Sequence, residues 1–251
     1  MATLSVCVIA FNEEHNMKGC LESVKWADEI IVLDSGSTDK TCEIARQYTE
    51  LVEVVDWPGY GVQKQRSVDR ATCDWVLSLD ADERVSEQLK KAIQEVLVQS
   101  EYDAYGVDWP LVFNDRVLRS TVSSKGRLCF FRRGKASFSS DKVHEKFNCT
   151  GKVGYIKAPL YHYSFRDSMH MVEKLQHTAE VAKIRCDRNV KSSVSKAVFR
   201  AILMFLKFYI LKGGIFERKE GFIMAMYFST CYYYMFLHVM FLNQQKNVKG
   251  S

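Results

Sequence analysis

The strongest constraint on the fold is a regular alternation of apolar runs and amphipathic segments over the first hundred residues. Residues 3–10 (TLSVCVIA) predict a buried strand, and residues 29–34, 51–55 and 75–79 predict three more. Between them Met17, Cys20, Leu21 and Val24 recur at helical spacing, with Asn12 placed to cap that helix. Further helices are expected to about Tyr48, to Ala71, and from Ser86 to about Gln99. Strand and helix alternating through short connections predict a parallel, doubly wound α/β sheet of the nucleotide-binding kind. Such sheets hold ligands at the carboxyl ends of their strands. Asp34 closes the second predicted strand, and Asp80-Ala81-Asp82 follows the fourth.

Two carboxylates at a strand end can hold a divalent cation through oxygen, as Mg²⁺ or Mn²⁺ prefers, and can leave the other coordination positions to a diphosphate and water. The alternative for Asp80 and Asp82 is a solvated acidic loop; their place directly after an apolar strand favours the functional reading. Asp34 is suited to accept hydrogen bonds from a ribose hydroxyl or a base N–H. A helix cap is its other reading, although Asp39, which abuts the next helix, suits that task better.

Four ordered segments carry a resemblance: Val8-Ile-Ala-Phe-Asn-Glu-Glu14, Glu29-Ile-Ile-Val-Leu-Asp-Ser-Gly-Ser-Thr-Asp39, Gly59-Tyr-Gly-Val-Gln-Lys-Gln65 and Trp75-Val-Leu-Ser-Leu-Asp-Ala-Asp-Glu-Arg84. Together they resemble family 2 glycosyltransferases, most of all the bacterial lipopolysaccharide inner-core β-glucosyltransferases that act on heptose or Kdo. The resemblance implies a GT-A fold, an inverting mechanism, a nucleotide-sugar donor and Mg²⁺ or Mn²⁺. It implies nucleoside contacts at Ala10, Phe11, Asn12, Glu14 and Asp34. Asp80 and Ala81 would then meet the ribose and diphosphate, with Asp82 on the metal. Lys64 corresponds to a basic residue near the nucleotide; a solvated helix face is its alternative. The general base falls in a Val-His-Glu-like segment, here Val143-His144-Glu145, which nominates Glu145 with Asp141 in reserve. Without the resemblance that stretch reads as a charged loop. His162 matches a family histidine near the metal or diphosphate, and a structural role in an aromatic strand is its alternative. Arg127, Arg132 and Arg133 read equally as phosphate partners or as surface charges.

Two features depart from the family pattern. The chain has no Gln-x-x-Arg-Trp segment, which argues against processive polymer synthesis. Glu217-Arg218-Lys219-Glu220 stands where the core transferases have a small, acidic turn.

The chain divides into an expected catalytic domain, 1–165, and a helical extension, 166–251. The first comprises a nucleotide-binding half, 1–100, and a mixed acceptor half, 101–165. Charge follows a similar division. Residues 1–100 hold 10 Lys and Arg against 18 Asp and Glu, and the remainder 25 against 12. Lys196, Arg200 and Lys207 share one helical stripe, and residues 221–242 form a long uncharged run rich in Tyr. Tyr favours the membrane–water boundary over the hydrocarbon centre. Helices lying on an anionic bilayer are therefore expected, with packing against the catalytic domain as the alternative and a true span ranked last. That suits a lipid-linked saccharide acceptor at the cytoplasmic leaflet of a bacterial inner membrane. The basic residues are interleaved with apolar stretches, so nucleic acid is not an expected partner. Eight cysteines without a C-x-x-C pair fit a reducing compartment, and the acidic residues after the first apolar run argue against a signal peptide. Three rivals remain. A sugar nucleotidyltransferase would need a basic, glycine-rich loop where Asn12-Glu13-Glu14 stands. An aspartyl phosphatase would need an acid at position 10, which is Ala. The third is a membrane-attached sugar-nucleotide-binding module without turnover.

Overall fold

A computed structural model describes residues 1–118, 124–139, 147–187 and 190–249. The chain forms two compact units: residues 1–111 with 124–164, and residues 112–123 with 165–251.

In the first unit, β1 (Leu4–Ala10), β2 (Glu29–Asp34), β3 (Val52–Val54) and β4 (Trp75–Asp80) lie parallel in the order β3-β2-β1-β4. The chain leaves β1 in one direction for β2 and β3 and returns on its other side for β4. The carboxyl end of β1 is thus the switch point at which doubly wound sheets open a crevice. Odd and even positions along β1 face opposite sides. Leu4, Val6 and Val8 pack with Met17 and Leu21 of α1 (Glu14–Val24), while Cys7 packs with Val68 of α3 (Tyr60–Asp69). The short helix α2 (Thr41–Ala45) follows β2. Beyond β4 comes a short strand, β5 (Glu83–Val85), and then α4 (Glu87–Val98), whose first turn is capped by Ser86 Oγ accepting from Leu89 N at 3.1 Å.

The sheet continues as a mixed half. β6 is Ala104–Trp109; β7 (Leu111–Phe113) and β8 (Arg116–Leu118) follow it in the chain; β9 is Ser124–Arg132. β9 runs antiparallel to both β4 and β6, and β12 (Val153–His162) is parallel to β6 and antiparallel to β5. The β6–β9 ladder shifts register at Tyr105/Gly106 and at Val107/Asp108, as bulges beside functional sites do. Gly106 is required here, because a Cβ would lie 2.8 Å from Gly126 Cα across the ladder. A small hairpin of β10 (Ala136–Phe138) and β11 (Phe147–Cys149) packs Phe138 and Phe147 against Phe131.

The second unit contains α5 (Ser168–Leu175), α6 (His177–Asp187), α7 (Val194–Leu206) and α8 (Arg218–Lys249). Asp167 caps α5 and Ser193 caps α7. Gly213, at φ +75°, turns the chain between α7 and α8. Met235, Phe236 and Val239 of α8 pack with Ala182 of α6 and Ala197 of α7. The uncharged run of 221–242 therefore puts much of its apolar surface into the core of its own unit. Glu220 is buried and pairs with Arg116 at 2.9 Å, so the Glu217–Glu220 segment is partly internal. No helix among the described residues is long and apolar enough to cross a membrane.

Candidate active site

β1, β2 and β4 end side by side: Ala10 is opposite Asp34, and Ile9 is opposite Asp80. Strands lie about 4.8 Å apart, so the Asp34 and Asp80 backbones are separated by about 10 Å across β1.

On the β2 side, Asp34 is fully buried and builds its own turn. Its Oδ1 accepts from Gly36 N (2.9 Å) and Ser37 N (2.7 Å), and its Oδ2 accepts from Ser37 Oγ at 2.5 Å. Gly36 sits at φ +88°, a conformation side-chain-bearing residues rarely adopt. Asn12 does not cap α1 as expected. It adopts φ +53°, donates N–H to Ser37 Oγ (2.7 Å) and accepts from Thr38 N through Oδ1 (2.8 Å). A cap needs a free side-chain oxygen over the first turn, and this one is engaged by the neighbouring loop. Asp39 Oδ2 accepts from Glu14 N (3.1 Å), and Glu14 Oε2 accepts from Lys40 N (3.1 Å). Asn12, Glu14, Asp34 and Asp39 thus fasten the two strand-end loops together. Ala10 is buried at the base of this arrangement and Phe11 is exposed beside it.

On the β4 side lies a buried ionic cluster. Lys64 of α3 is buried rather than solvated, with Nζ 3.1 Å from Asp80 Oδ1. Arg127 of β9 reaches Asp80 Oδ2 at 2.9 Å and Glu83 Oε1 at 2.9 Å. Glu83 is fully buried; it also accepts from Asp80 N (2.9 Å) and from Trp109 Nε1 (2.5 Å). Two cations and two carboxylates balance, so this cluster is a neutral platform. Burial alone would raise the Asp80 carboxyl, but Lys64 and Arg127 outweigh it and hold the group well below the usual carboxylate range. Burial pushes Glu83 up, against the pull of Arg127. Asp80 Oδ1 is itself buried and, apart from the ion pair with Lys64, has no aligned hydrogen-bond donor.

Above this platform Asp82 and His162 stand together, Asp82 Oδ2 and His162 Nε2 3.2 Å apart, with side chains 12% and 18% exposed. The His162 ring stacks on Trp109 (centroids 4.3 Å apart, planes at 14°), and Tyr163 N donates to Asp82 O at 2.7 Å. Among the described residues no three His, Cys, Asp or Glu side chains converge as a metal cage. One carboxylate and one imidazole nevertheless fit the small protein share that Mg²⁺ or Mn²⁺ needs when a diphosphate and water complete the shell.

The structure thus brings Lys64, Asp80, Asp82, His162 and Arg127 into one cluster and places the loops of Ala10–Glu14 and Asp34 across β1 from it. Ala81 is buried in the turn between the two acids. Asp141 and Glu145 lie outside the described residues. Arg132 pairs with Asp103 (3.7 Å) and Arg133 donates to Cys73 O (2.8 Å), both away from Asp80. Glu83 and Trp109 were not singled out from sequence. A Glu directly after the D-x-D motif is the one local hint of the first; Trp109 carries none.

The low carboxyl of Asp80 has a testable consequence. A depressed group contributes stability above its unfolded value, near 4, that is lost as pH falls through the folded value. Urea unfolding of the native protein between pH 2.5 and 6 is expected to show a steeper acid loss than that of Asp80→Asn. Parallel curves would refute the assignment.

A doubly wound sheet with a mixed half, bearing acids and a buried lysine at its switch point, defines a GT-A nucleotide-sugar-type fold. Residues 5–163 match the profile of the family described as Glycosyl transferase family 2, and the chain belongs to that family. It is 29% identical over 239 residues to the lipopolysaccharide core biosynthesis glycosyltransferase LpsC of Rhizobium meliloti, covering 89% of this chain and 86% of that protein. An uncharacterised glycosyltransferase of Rickettsia typhi is 28% identical over 244 residues, covering 91% of this chain and 84% of its own. In fold it is similar to the crystal structure of S. aureus TarS 1-349 in complex with UDP-GlcNAc. The TM-score is 0.50 at 16% identity, over 89% of this chain and 79% of that one.

Proposed function

We propose that this glycosyltransferase moves one hexose, with inversion, from UDP-glucose or a similar nucleotide sugar to a lipid-linked saccharide. The acceptor is of the lipopolysaccharide inner-core kind, heptose or Kdo, and the protein works peripherally on the cytoplasmic face of a bacterial inner membrane. Similarity to LpsC over most of both chains supports the acceptor class. The observation that carries the donor reading is the platform of Lys64, Asp80, Arg127 and Glu83 at the end of β4, together with the Asp82–His162 pair.

In this reading the exposed edge of the Asp80 carboxylate accepts a hydrogen bond from a ribose hydroxyl, and Asp82 and His162 would hold the metal. When bound, that ion neutralises charge on the leaving diphosphate. The exposed Phe11 ring offers a stacking face to the base, and the fastened loops of Asn12, Glu14 and Asp34 set the width of the nucleoside cleft. Glu145 takes the proton of the acceptor hydroxyl as that oxygen bonds to the anomeric carbon. The bond from the anomeric carbon to the diphosphate breaks on the opposite side. Asp141 is the reserve. Both assignments rest on the family resemblance.

Thermal shift across UDP-, GDP- and TDP-sugars with Mn²⁺ tests the donor. Stabilisation by UDP-hexoses is expected; silence to every donor would refute the donor reading, and a shift without any turnover would favour the sugar-nucleotide-binding module. Glu145→Gln is expected to keep donor binding and lower kcat by about 100-fold or more, the scale of general-base loss. If Asp141→Asn loses turnover and Glu145→Gln does not, the roles are exchanged.

A further inference from the structure

α7 is amphipathic, yet only Ala197 of it is buried among the described residues. Val194, Val198, Ile202 and Leu206 are all exposed. At about 100° per residue these four sweep some 120° of the helix, and the exposed Phe199 and Leu203 widen the arc to about 180°. Lys196, Arg200 and Lys207 occupy the next sector, within about 40° of one another; Lys196 and Arg200 lie over the Phe236 ring of α8, at 5.8 and 5.7 Å, while Lys207 is exposed. The exposed surface continues past the helix. A π-helical turn, Lys207–Leu211, leads into the left-handed Gly213 and a short 3₁₀ turn, Gly214–Glu217. At this corner Leu211 is 81% exposed and Phe216 84%. Between Asp187 and Glu217 the sequence has no acidic residue, but it has Arg188, Lys191, Lys196, Arg200, Lys207 and Lys212.

Apolar side chains this exposed and this contiguous mark an interaction surface. The chemistry selects its occupant. Protein interface cores are depleted in lysine. A bilayer boundary tolerates lysine beside apolar residues, because the aliphatic stem lies along the acyl region while the ammonium reaches the headgroups. A run of cations without a single acid is complementary to an anionic leaflet. We infer that the outer face of α7 and the corner at residues 210–216 form a shallow insertion surface for an anionic bilayer. Leu211 and Phe216 enter the headgroup–acyl boundary, and the exposed Lys207 and Lys212 bind lipid phosphates. The inference deepens the peripheral-membrane part of the proposed function and rests on it. It moves the contact from the Tyr-rich run of 221–242, much of whose apolar surface packs inside its own unit, to the preceding helix and turn.

Full-length protein is to be titrated with vesicles of phosphatidylcholine alone and of phosphatidylcholine with 25% phosphatidylglycerol, without nucleotide or saccharide. Binding is expected only to the anionic vesicles and is expected to weaken with salt. Leu211→Ser with Phe216→Ser is expected to lower the partition constant by at least about 100-fold, because two large apolar side chains no longer leave water. Lys207→Gln with Lys212→Gln is expected to lower it roughly 30-fold at low salt. All four residues are exposed, so the melting temperature should stay near that of the parent. Unchanged vesicle affinity in the Ser variant overturns the inference. So does equal binding to both vesicles, or a solution dimer that the Ser variant dissociates. A retained UDP-sugar thermal shift in a protein that ignores vesicles would sink this surface and leave the transferase reading standing. Vesicle binding without any donor shift would do the reverse.

Discussion

Asp82→Ala is expected to lower sugar transfer by about 1,000-fold or more and to remove the metal dependence of nucleotide binding. Asp82 offers the anionic oxygen of the Asp82–His162 pair; His162 contributes an imidazole nitrogen from the end of β12. Removing one preorganised electrostatic stabiliser commonly costs a factor of 100 to 1,000 in kcat, and here the loss would also remove the anionic anchor of the metal–diphosphate. The fold should be little affected, because the cluster beneath is closed by Lys64, Asp80, Glu83 and Arg127 without Asp82. The measurement is turnover with and without EDTA, together with nucleotide affinity at several Mn²⁺ concentrations. Full activity of the native protein in EDTA would end the metal assignment. Metal-dependent binding retained by Asp82→Ala would move the site elsewhere.

Arg127→Met is expected to act on stability first. Arg127 bridges Asp80 and Glu83 and lies over the Trp109 ring, its guanidinium carbon 4.6 Å from the centroid. Met replaces much of the stem volume but leaves Glu83, fully buried, without its cation. Breaking a buried pair by removing one partner costs about 3–5 kcal/mol, since a carboxylate is left uncompensated. Urea unfolding reads this directly. Adding Glu83→Gln should recover more than half of the loss, because the neutral amide no longer needs a counter-charge while it can still accept from Trp109 or Asp80 N–H. A single variant within about 1 kcal/mol of the parent would show that the cluster is not the support described. Turnover should also fall in Arg127→Met, since Asp80 would lose one of the two cations that fix its orientation.

The fate of particular residues shows how legible the molecule was in its sequence. The strands ending at Ala10, Asp34 and Asp80 follow from apolar runs stopped by polar residues, a local pattern fixed by the need to bury both faces of a parallel sheet. Their order β3-β2-β1-β4 follows from the βαβ connections, whose handedness leaves few choices. Lys64 shows the limit. As a helix residue it reads as either solvated or functional, and only the packing of α3 over β4 sets its ammonium against Asp80. Asn12 shows it again: its cap signature is real, but the Ser35–Asp39 turn offers donors that compete for the same oxygen. Glu83, Arg127 and Trp109 come from three strands, and Glu83 meets Trp109 across 26 positions of sequence and Arg127 across 44. No periodicity encodes such a meeting. In the second unit the apolar character of residues 194–242 was visible, but which part is internal was not. α8 is packed by α6 and α7, while α7 keeps its apolar arc in solvent.

What the chain determines by itself is therefore local and one-dimensional: where strands and helices begin, which acids end the strands, and where positive charge collects. Tertiary structure alone decides which of those charges are neutralised in pairs and which remain able to meet a ligand. The physical reason is that a buried charge depends on partners a few ångströms away in space, and in this sheet those partners lie on strands far apart in the chain.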